Sequence, residues 1–364
     1  MLELIALILA GIHFGIPLTY YYYAKTRWLP KPWNIKIDEN YRPKITIILP
    51  TYNEEKIIKE RLENIYNQTY PKELMEVIIV DSSNDKTPEI VESWNKSHNG
   101  ITLSLIRESE RKGKAFALNE ALKYANSSIV ISADADALWP KYALCETVKW
   151  FSDPSIGAVS CLKKPTNLGF LSTEEGYRNY YNILRLAESK VYSTPIFHGE
   201  LFALRKELLL KINGFPTDIG SDDSHTATEI VSIGYRSITP EIWIDEKIPK
   251  EGYASWKIRR AQHLIQHFMK AVKLRIKNKT FKKILIIETY LHIINPWFLL
   301  AATILLATDF LLSKSLIPVI LLFSGLILLS IKEYRTWFAQ QIYLMIATIK
   351  NIKTKEIAWN KQEK

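Results

Sequence analysis

Residues 45–55 read Ile45-Thr46-Ile47-Ile48-Leu49-Pro50-Thr51-Tyr52-Asn53-Glu54-Glu55, an apolar run that ends at a proline and opens into a polar turn. Residues 54–67 then carry helical periodicity, with Ile57, Ile58, Leu62 and Ile65 on one side. A second β-branched run, residues 77–80, ends at Asp81. Residues 87–94 read as helix, 101–106 as strand and 113–125 as a helix rich in good helix formers. A fourth strand, 129–132, runs into Asp134-Ala135-Asp136. Strands alternating with helices predict an α/β fold on a mostly parallel sheet, with ligands at the carboxyl ends of the strands. The polar clusters 50–55, 81–85 and 134–136 all follow strand ends, so they converge on one rim.

Each cluster also has a plain structural reading. Residues 50–55 suit an ordinary helix start, and 81–85 an Asx-rich turn or a site for ribose and base hydroxyls. Arg111-Lys112-Gly113-Lys114 precedes a helix, and two lysines, a glycine and a helix N-terminus suit a diphosphate as well as a solvated turn. Asp134 and Asp136 alternate along an extended segment, so both carboxylates can face one locus. Such a pair repels unless a cation or proton lies between them. Oxygen ligands without Cys or His point to Mg²⁺ or Mn²⁺, and a surface turn is the alternative. Asp222 and Asp223 stand before a helix, where they serve either as acidic caps or as reactive carboxylates. His263 and His267 have metal-ligand spacing but no acidic partner nearby in the sequence, and read as a helix face.

Apolar residues concentrate near the two ends of the 364-residue chain. Residues 2–23 carry one charge, Glu3, and are long enough to span a bilayer. Tyr20 to Tyr23, then Lys25, Arg27 and Trp28, form an interfacial belt whose positive charges predict a cytosolic flank. Residues 290–312 and 316–331 predict a helical hairpin joined by Ser313-Lys314-Ser315, with a re-entrant hairpin as the alternative. Residues 337–349 suit an interfacial helix or a third span. The stretch 256–283 holds ten basic and no acidic residues, and the net charge is +10. Basic residues beside apolar runs suit anionic lipid headgroups rather than nucleic acid. Cys145 and Cys161 are the only cysteines, so no disulfide framework is expected.

In order and spacing, these motifs resemble family 2 glycosyltransferases, and most of all the membrane-bound branch. That branch includes hyaluronan, chitin and cellulose synthases, ceramide glucosyltransferases and polyisoprenyl-phosphate sugar transferases. The resemblance runs over residues 44–262. It implies a GT-A catalytic domain in which Pro50, Thr51, Asn53 and Glu54 lie against the nucleoside, with Asp81 at the base or ribose. It implies Lys114 at the diphosphate, Asp136 as ligand of Mg²⁺ or Mn²⁺, Asp134 as its support and Asp223 as general base, with Asp222 beside it. The family's second Asp is replaced by Ser82. The Gln-Arg-x-x-Arg-Trp signature of processive synthases is degraded to Trp256-Lys257-Ile258-Arg259-Arg260-Ala261-Gln262, which favours transfer of one sugar. Trp256, Arg259 and Arg260 are expected at the acceptor and membrane interface.

The expected organisation is therefore a membrane anchor at 1–23, a basic linker at 24–43 and a GT-A domain at 44–250. Basic interfacial helices follow at 251–289, a transmembrane hairpin at 290–331, and an interfacial or third membrane helix with a basic tail at 332–364. The expected protein is an integral membrane enzyme with its catalytic domain in the cytosol, the plasma membrane being the expected bilayer. Its expected partners are a UDP- or GDP-sugar donor and a lipid or lipid-linked acceptor. The amphipathic segment 172–192 either lies at the membrane surface and guides that acceptor or packs against the sheet. Oligomeric state is not legible in the chain.

Overall fold

The computed structural model describes residues 1–166, 172–249 and 251–355. Its first half alternates as expected: α1 (Leu2–Tyr23), β1 (Ile45–Thr51), α2 (Ile58–Tyr66), β2 (Met75–Asp81), α3 (Thr87–Ser97), β3 (Thr102–Arg107), α4 (Lys114–Leu122) and β4 (Ile129–Ser132). There follow α5 (Ala143–Val148), β5 (Ile156–Ser160), β6 (Leu162–Thr166), α6 (Ser172–Val191), β7 (Phe202–Arg205), α7 (Lys206–Lys211), α8 (Asp222–Ser232), β8 (Arg236–Ile238) and β9 (Trp243–Lys247). The last helices are α9 (Tyr253–Ala271), α10 (Lys279–Thr289), α11 (Asn295–Ser313), α12 (Leu316–Leu328) and α13 (Lys332–Lys353).

Seven strands form one sheet in the order β3-β2-β1-β4-β7-β5-β8, and β6 pairs with β9 in a small second sheet. Strands β1 to β4 are parallel, with Ile45 opposite both Met75 and Ile129. Strand β7 enters antiparallel between β4 and β5, so the sheet is mixed at that point. Side chains alternate between two cores. Ile45, Ile47 and Leu49 pack with Leu62, Ile65, Val91 and Phe151 on one face, while Ile48, Ile78 and Val80 pack with Leu118, Leu122 and Ile230 on the other. Burial on both faces explains why β1 and β2 read as continuous apolar runs.

Helix α2 starts four residues later than the periodicity suggests, at Ile58 instead of Glu54. The missing turn is stitched to the next loop. Asn53 N donates to Ser83 Oγ (2.7 Å), Glu54 N to Thr87 Oγ1 (2.8 Å) and Asn84 N to Asn53 Oδ1 (2.9 Å). Asn53, at φ +56°, lies outside the helical region, and Glu54 O accepts from Ile57 N (2.9 Å) and Ile58 N (2.8 Å), so a tight turn leads into the helix.

Two helical runs are long and apolar enough to cross a membrane: Leu2–Trp28 (27 residues) and Lys279–Ser313 (35 residues). The expected boundary at 290 is corrected, because α10 continues through a π turn (Tyr290–Ile294) into α11. The expected second arm, 316–331, is also corrected. Helix α12 ends at Leu328, and the chain turns by 105° into α13, so the two reach span length only as a bent pair. Helix α1 packs along α11, and α13 lies against α9 and α6; together with α12 it makes at most one further, bent span. For α6, packing is the account the structure bears out: it contacts β6, β8, α10 and α13. Of the expected basic tail, residues 356–364 lie outside the described residues.

Candidate active site

The strand ends of β1, β2 and β4 and the first turns of α4 and α8 open into one cleft of about 600 Å³. Pro50, Thr51, Glu54, Lys114, Asp134, Asp136, Asp222, Asp223, Trp256, Arg259 and Arg260 all line it. Asp81 and Asn53 do not. Asp81 is fully buried behind the cleft wall, accepting from Thr51 Oγ1 (2.7 Å) and Ser83 Oγ (2.6 Å), with Arg107 Nε at 3.4 Å. Val80 and Ser82 line the cleft in its place. Asn53 acts within the stitch between the two loops.

At the centre, Lys114 opens α4 and donates from Nζ to Asp134 Oδ1 (2.6 Å), with Asp222 Oδ2 at 4.0 Å. A Cβ on Gly199 would sit 2.6 Å from Lys114 Nζ and 3.6 Å from both Asp134 Oδ2 and Asp223 Oδ2. These three groups therefore meet over a backbone that carries no side chain. That junction is why the strand β7 is entered through a glycine.

Asp222 and Asp223 occupy the first turn of α8, preceded by Ser221. Asp223 Oδ1 accepts from Ser224 N (2.6 Å), Ser221 Oγ (3.2 Å) and Ser224 Oγ (3.2 Å). Oδ1 is thus anchored, and Oδ2 is the oxygen near Gly199. Burial pushes the Asp223 carboxyl up to about 6, with the Asp222 charge adding to the rise and Lys114 opposing it. Asp222 is raised too, chiefly by burial, and its Oδ2 has no hydrogen-bond partner. Burial alone would lower Lys114, but Asp134 and Asp222 outweigh it and hold the ammonium charged.

The donor set fits a hard divalent cation that also takes oxygens from a bound diphosphate. Asp136 and Asp134 bring carboxylates to the cleft wall. No cage of three or more acidic, His or Cys side chains exists among the described residues. One or two carboxylates completed by phosphate oxygens and water is the usual arrangement for Mg²⁺ at nucleotides.

The far half of the cleft is built by α6, α9 and α13. Trp256 was expected at a membrane interface; it is 1% exposed and enclosed within the protein. The Arg260 guanidinium stacks 4.7 Å from the Trp256 ring and donates to Glu246 Oε1 (2.5 Å). Behind them lies a buried ion network. Lys163 pairs with Glu200 and Glu246, Arg178 with Glu246 (2.7 Å) and Glu174 (3.1 Å), and Lys257 with Glu174 (2.9 Å). Sequence reading missed this network, because its partners are 37 and 83 residues apart for Lys163 alone. It also missed Arg61, which is fully buried and stacks 4.0 Å from the Trp139 ring. Burial lowers the Arg61 guanidinium to about 9 against the pull of Asp134 and Asp136. A lone arginine at a core position of α2 was the available signal.

A mostly parallel sheet with acidic pairs at the ends of β4 and the start of α8 defines the GT-A architecture. The chain belongs to glycosyl transferase family 2, whose sequence pattern matches residues 46–212. The structure of a mannosyltransferase from Pyrobaculum calidifontis, PcManGT, in complex with GDP-Man and Mn²⁺, superposes with a TM-score of 0.89 at 50% identity. It covers 97% of this chain and 99% of that one. A dolichyl N-acetyl-alpha-D-glucosaminyl phosphate 3-beta-D-2,3-diacetamido-2,3-dideoxy-beta-D-glucuronosyltransferase from Methanococcus voltae is 43% identical over 169 residues, 45% of this chain and 48% of that protein. A poly-beta-1,6-N-acetyl-D-glucosamine synthase from Staphylococcus epidermidis is 26% identical over 234 residues, 63% of this chain and 54% of that protein. The chain spans about half the length of the curated relatives it matches.

Proposed function

We propose that this protein transfers a single sugar from a nucleotide-sugar, GDP-mannose being the favoured donor, to a lipid or lipid-linked acceptor with inversion at the anomeric carbon. The carrying observation is the junction of Lys114, Asp134 and Asp223 over Gly199. It brings one ammonium and two carboxylates around one point, which supports reading them as the diphosphate-binding cation, the metal-supporting carboxylate and the base. The relative that binds GDP-Man and Mn²⁺ supports the choice of donor and metal.

In this reading Pro50, Thr51 and Glu54 flank the nucleoside, while Asp81 and Asn53 hold the loops that shape its pocket. Lys114 neutralises the diphosphate. Asp136 would hold the divalent cation with Asp134 in support, and such an ion would supply stabilisation of negative charge on the leaving diphosphate. Asp223 Oδ2 takes the proton of the acceptor hydroxyl as that oxygen bonds to the anomeric carbon. The bond from that carbon to the diphosphate oxygen breaks, and its electron pair leaves with the nucleoside diphosphate. A single displacement inverts the centre. Trp256, Arg259 and Arg260 stand on the acceptor side of the cleft. Two spanning helices, or three with the bent pair, are few for a polymer channel among the described residues, which supports single transfer. Basic residues flanking the helices support a cytosolic active site and contact with anionic headgroups.

A donor screen tests this reading. Purified protein given GDP- and UDP-sugars with membrane lipid extract should release nucleoside diphosphate with GDP-mannose and Mn²⁺ or Mg²⁺, reversibly stopped by EDTA. Extracted product should carry one added sugar. Full turnover in chelator, or a ladder of lengthening products, would contradict it.

A further inference from the structure

The carboxylates of Asp222 and Asp223 follow a short loop whose backbone is gripped from behind. Gly220 N donates to Gln266 Oε1 (2.8 Å), and Gln266 Nε2 donates to Asn351 Oδ1 (3.0 Å). Gln266 is buried. The contact leaves no slack, since a Cβ on Gly220 would fall 2.3 Å from the His263 ring. One turn earlier on α9, Gln262 Nε2 donates to Thr354 O at the end of α13. Beside these polar ties, toward the start of both helices, Leu344 and Ala347 of α13 pack on Ile258, Ala261 and Ile265 of α9. The other half of α13 is pinned to the first membrane helix, where Trp337 Nε1 donates to His13 Nε2 (3.0 Å). One side-chain amide thus joins the acidic loop to a helix that reaches α1.

We propose that Gln266 is a positioning residue for the base, holding the loop 219–221 in register through Gly220 and braced in turn by Asn351 on α13. The proposal rests on Asp223 being the base. Glutamine is suited to the place because it accepts and donates at once. The Gly220 N–H can only donate, so the amide oxygen must face it and the amide nitrogen must face α13. Neither a carboxylate nor an apolar chain of the same length does both. Loss of the brace lets Ser221 and Asp223 drift relative to the donor sugar, while the nucleoside and diphosphate contacts, carried by β1, β2 and α4, stay in place. Displacement of a catalytic group by about 1 Å costs on the order of a hundredfold in rate.

The test uses the full chain in detergent or nanodiscs with GDP-mannose, or with whichever donor the screen selects. Gln266→Met keeps the volume and removes both bonds. It should lower kcat by roughly tenfold to a hundredfold while the donor Kd from calorimetry stays within about twofold. Asn351→Ala spares the Gly220–Gln266 bond, removing the outer bond and the contact of Asn351 Nδ2 with Met269 Sδ (3.7 Å); it should cost less, and the double variant should be no slower than Gln266→Met alone. Unchanged kcat in Gln266→Met, or kcat and donor affinity lost in parallel, would overturn the proposal. Should Gln266→Met fail to fold, Asn351→Ala with wild-type kcat would overturn it instead. An active Asp223→Asn protein would show a different failure, that of the base assignment itself.

Discussion

Asp223 presents two oxygens with different duties. Three donors fix Oδ1, so in the proposed mechanism Oδ2, beside Gly199, is the oxygen that takes the proton. A carboxylate at its ordinary pKa would be a weak base, and burial raises this one to about 6. The sign follows directly: the group must be ionised to accept a proton, so its acid form is inactive. The rate of transfer should therefore rise with pH through a limb centred near 6 and level off above it. A pH–kcat profile flat from about pH 5 to 7 would show that Asp223 keeps an ordinary carboxyl pKa or does not serve. Asp222, one residue earlier, raises its neighbour by charge and faces Lys114 at 4.0 Å. The two adjacent acids thus differ in setting: Asp223 is held by three donors, while Asp222 Oδ2 makes no hydrogen bond and has only the lysine at 4.0 Å.

Among the elements, β1, α2, β2 and α3 were legible because period-2 and period-3.6 patterns are local properties of the chain. The late start of α2 was not, since it depends on Ser83 and Thr87, about 30 residues downstream. The antiparallel entry of β7 was hidden for the same reason: a four-residue strand carries no mark of its direction. Most of the acidic and basic site residues were visible as motifs after strand ends. Their separation into wall and support was not, and Asp81 shows why. Its type and position suited a ligand contact, yet its partners Thr51 and Ser83 enclose it. Asp81→Ala should destabilise the domain by about 1–3 kcal/mol, because buried donors lose their acceptor, and donor affinity should fall with it. Thermal melts beside donor binding check this. Lost affinity with an unchanged Tm would restore Asp81 to direct contact with the nucleoside.

At the scale of the whole molecule, the sheet domain and the helical runs long and apolar enough to cross a membrane are tied by shared elements. Helix α6 carries Arg178 into the ion network behind the cleft and Tyr180 to the Pro17 carbonyl of α1 (3.3 Å). Hydropathy made the apolar runs plain, but neither the 105° turn between α12 and α13 nor the packing of α13 on α9 is recorded in a hydropathy window. The basic flanks of both spanning helices predict that the sheet domain faces the cytosol. Protease outside sealed, right-side-out vesicles should leave residues 44–283 uncut, and cleavage there would reverse the topology.

In the proposed reading, one cleft binds the donor with one set of residues and activates the acceptor with another. Asp223→Asn tests it most directly, since the amide keeps the size and most hydrogen bonds of the carboxylate and cannot take the proton. Transfer from GDP-mannose to lipid acceptor should fall by roughly a hundredfold or more, while calorimetric affinity for the donor with Mn²⁺ stays near wild type. Transfer at the wild-type rate, or donor affinity lost in step with rate, would contradict the account.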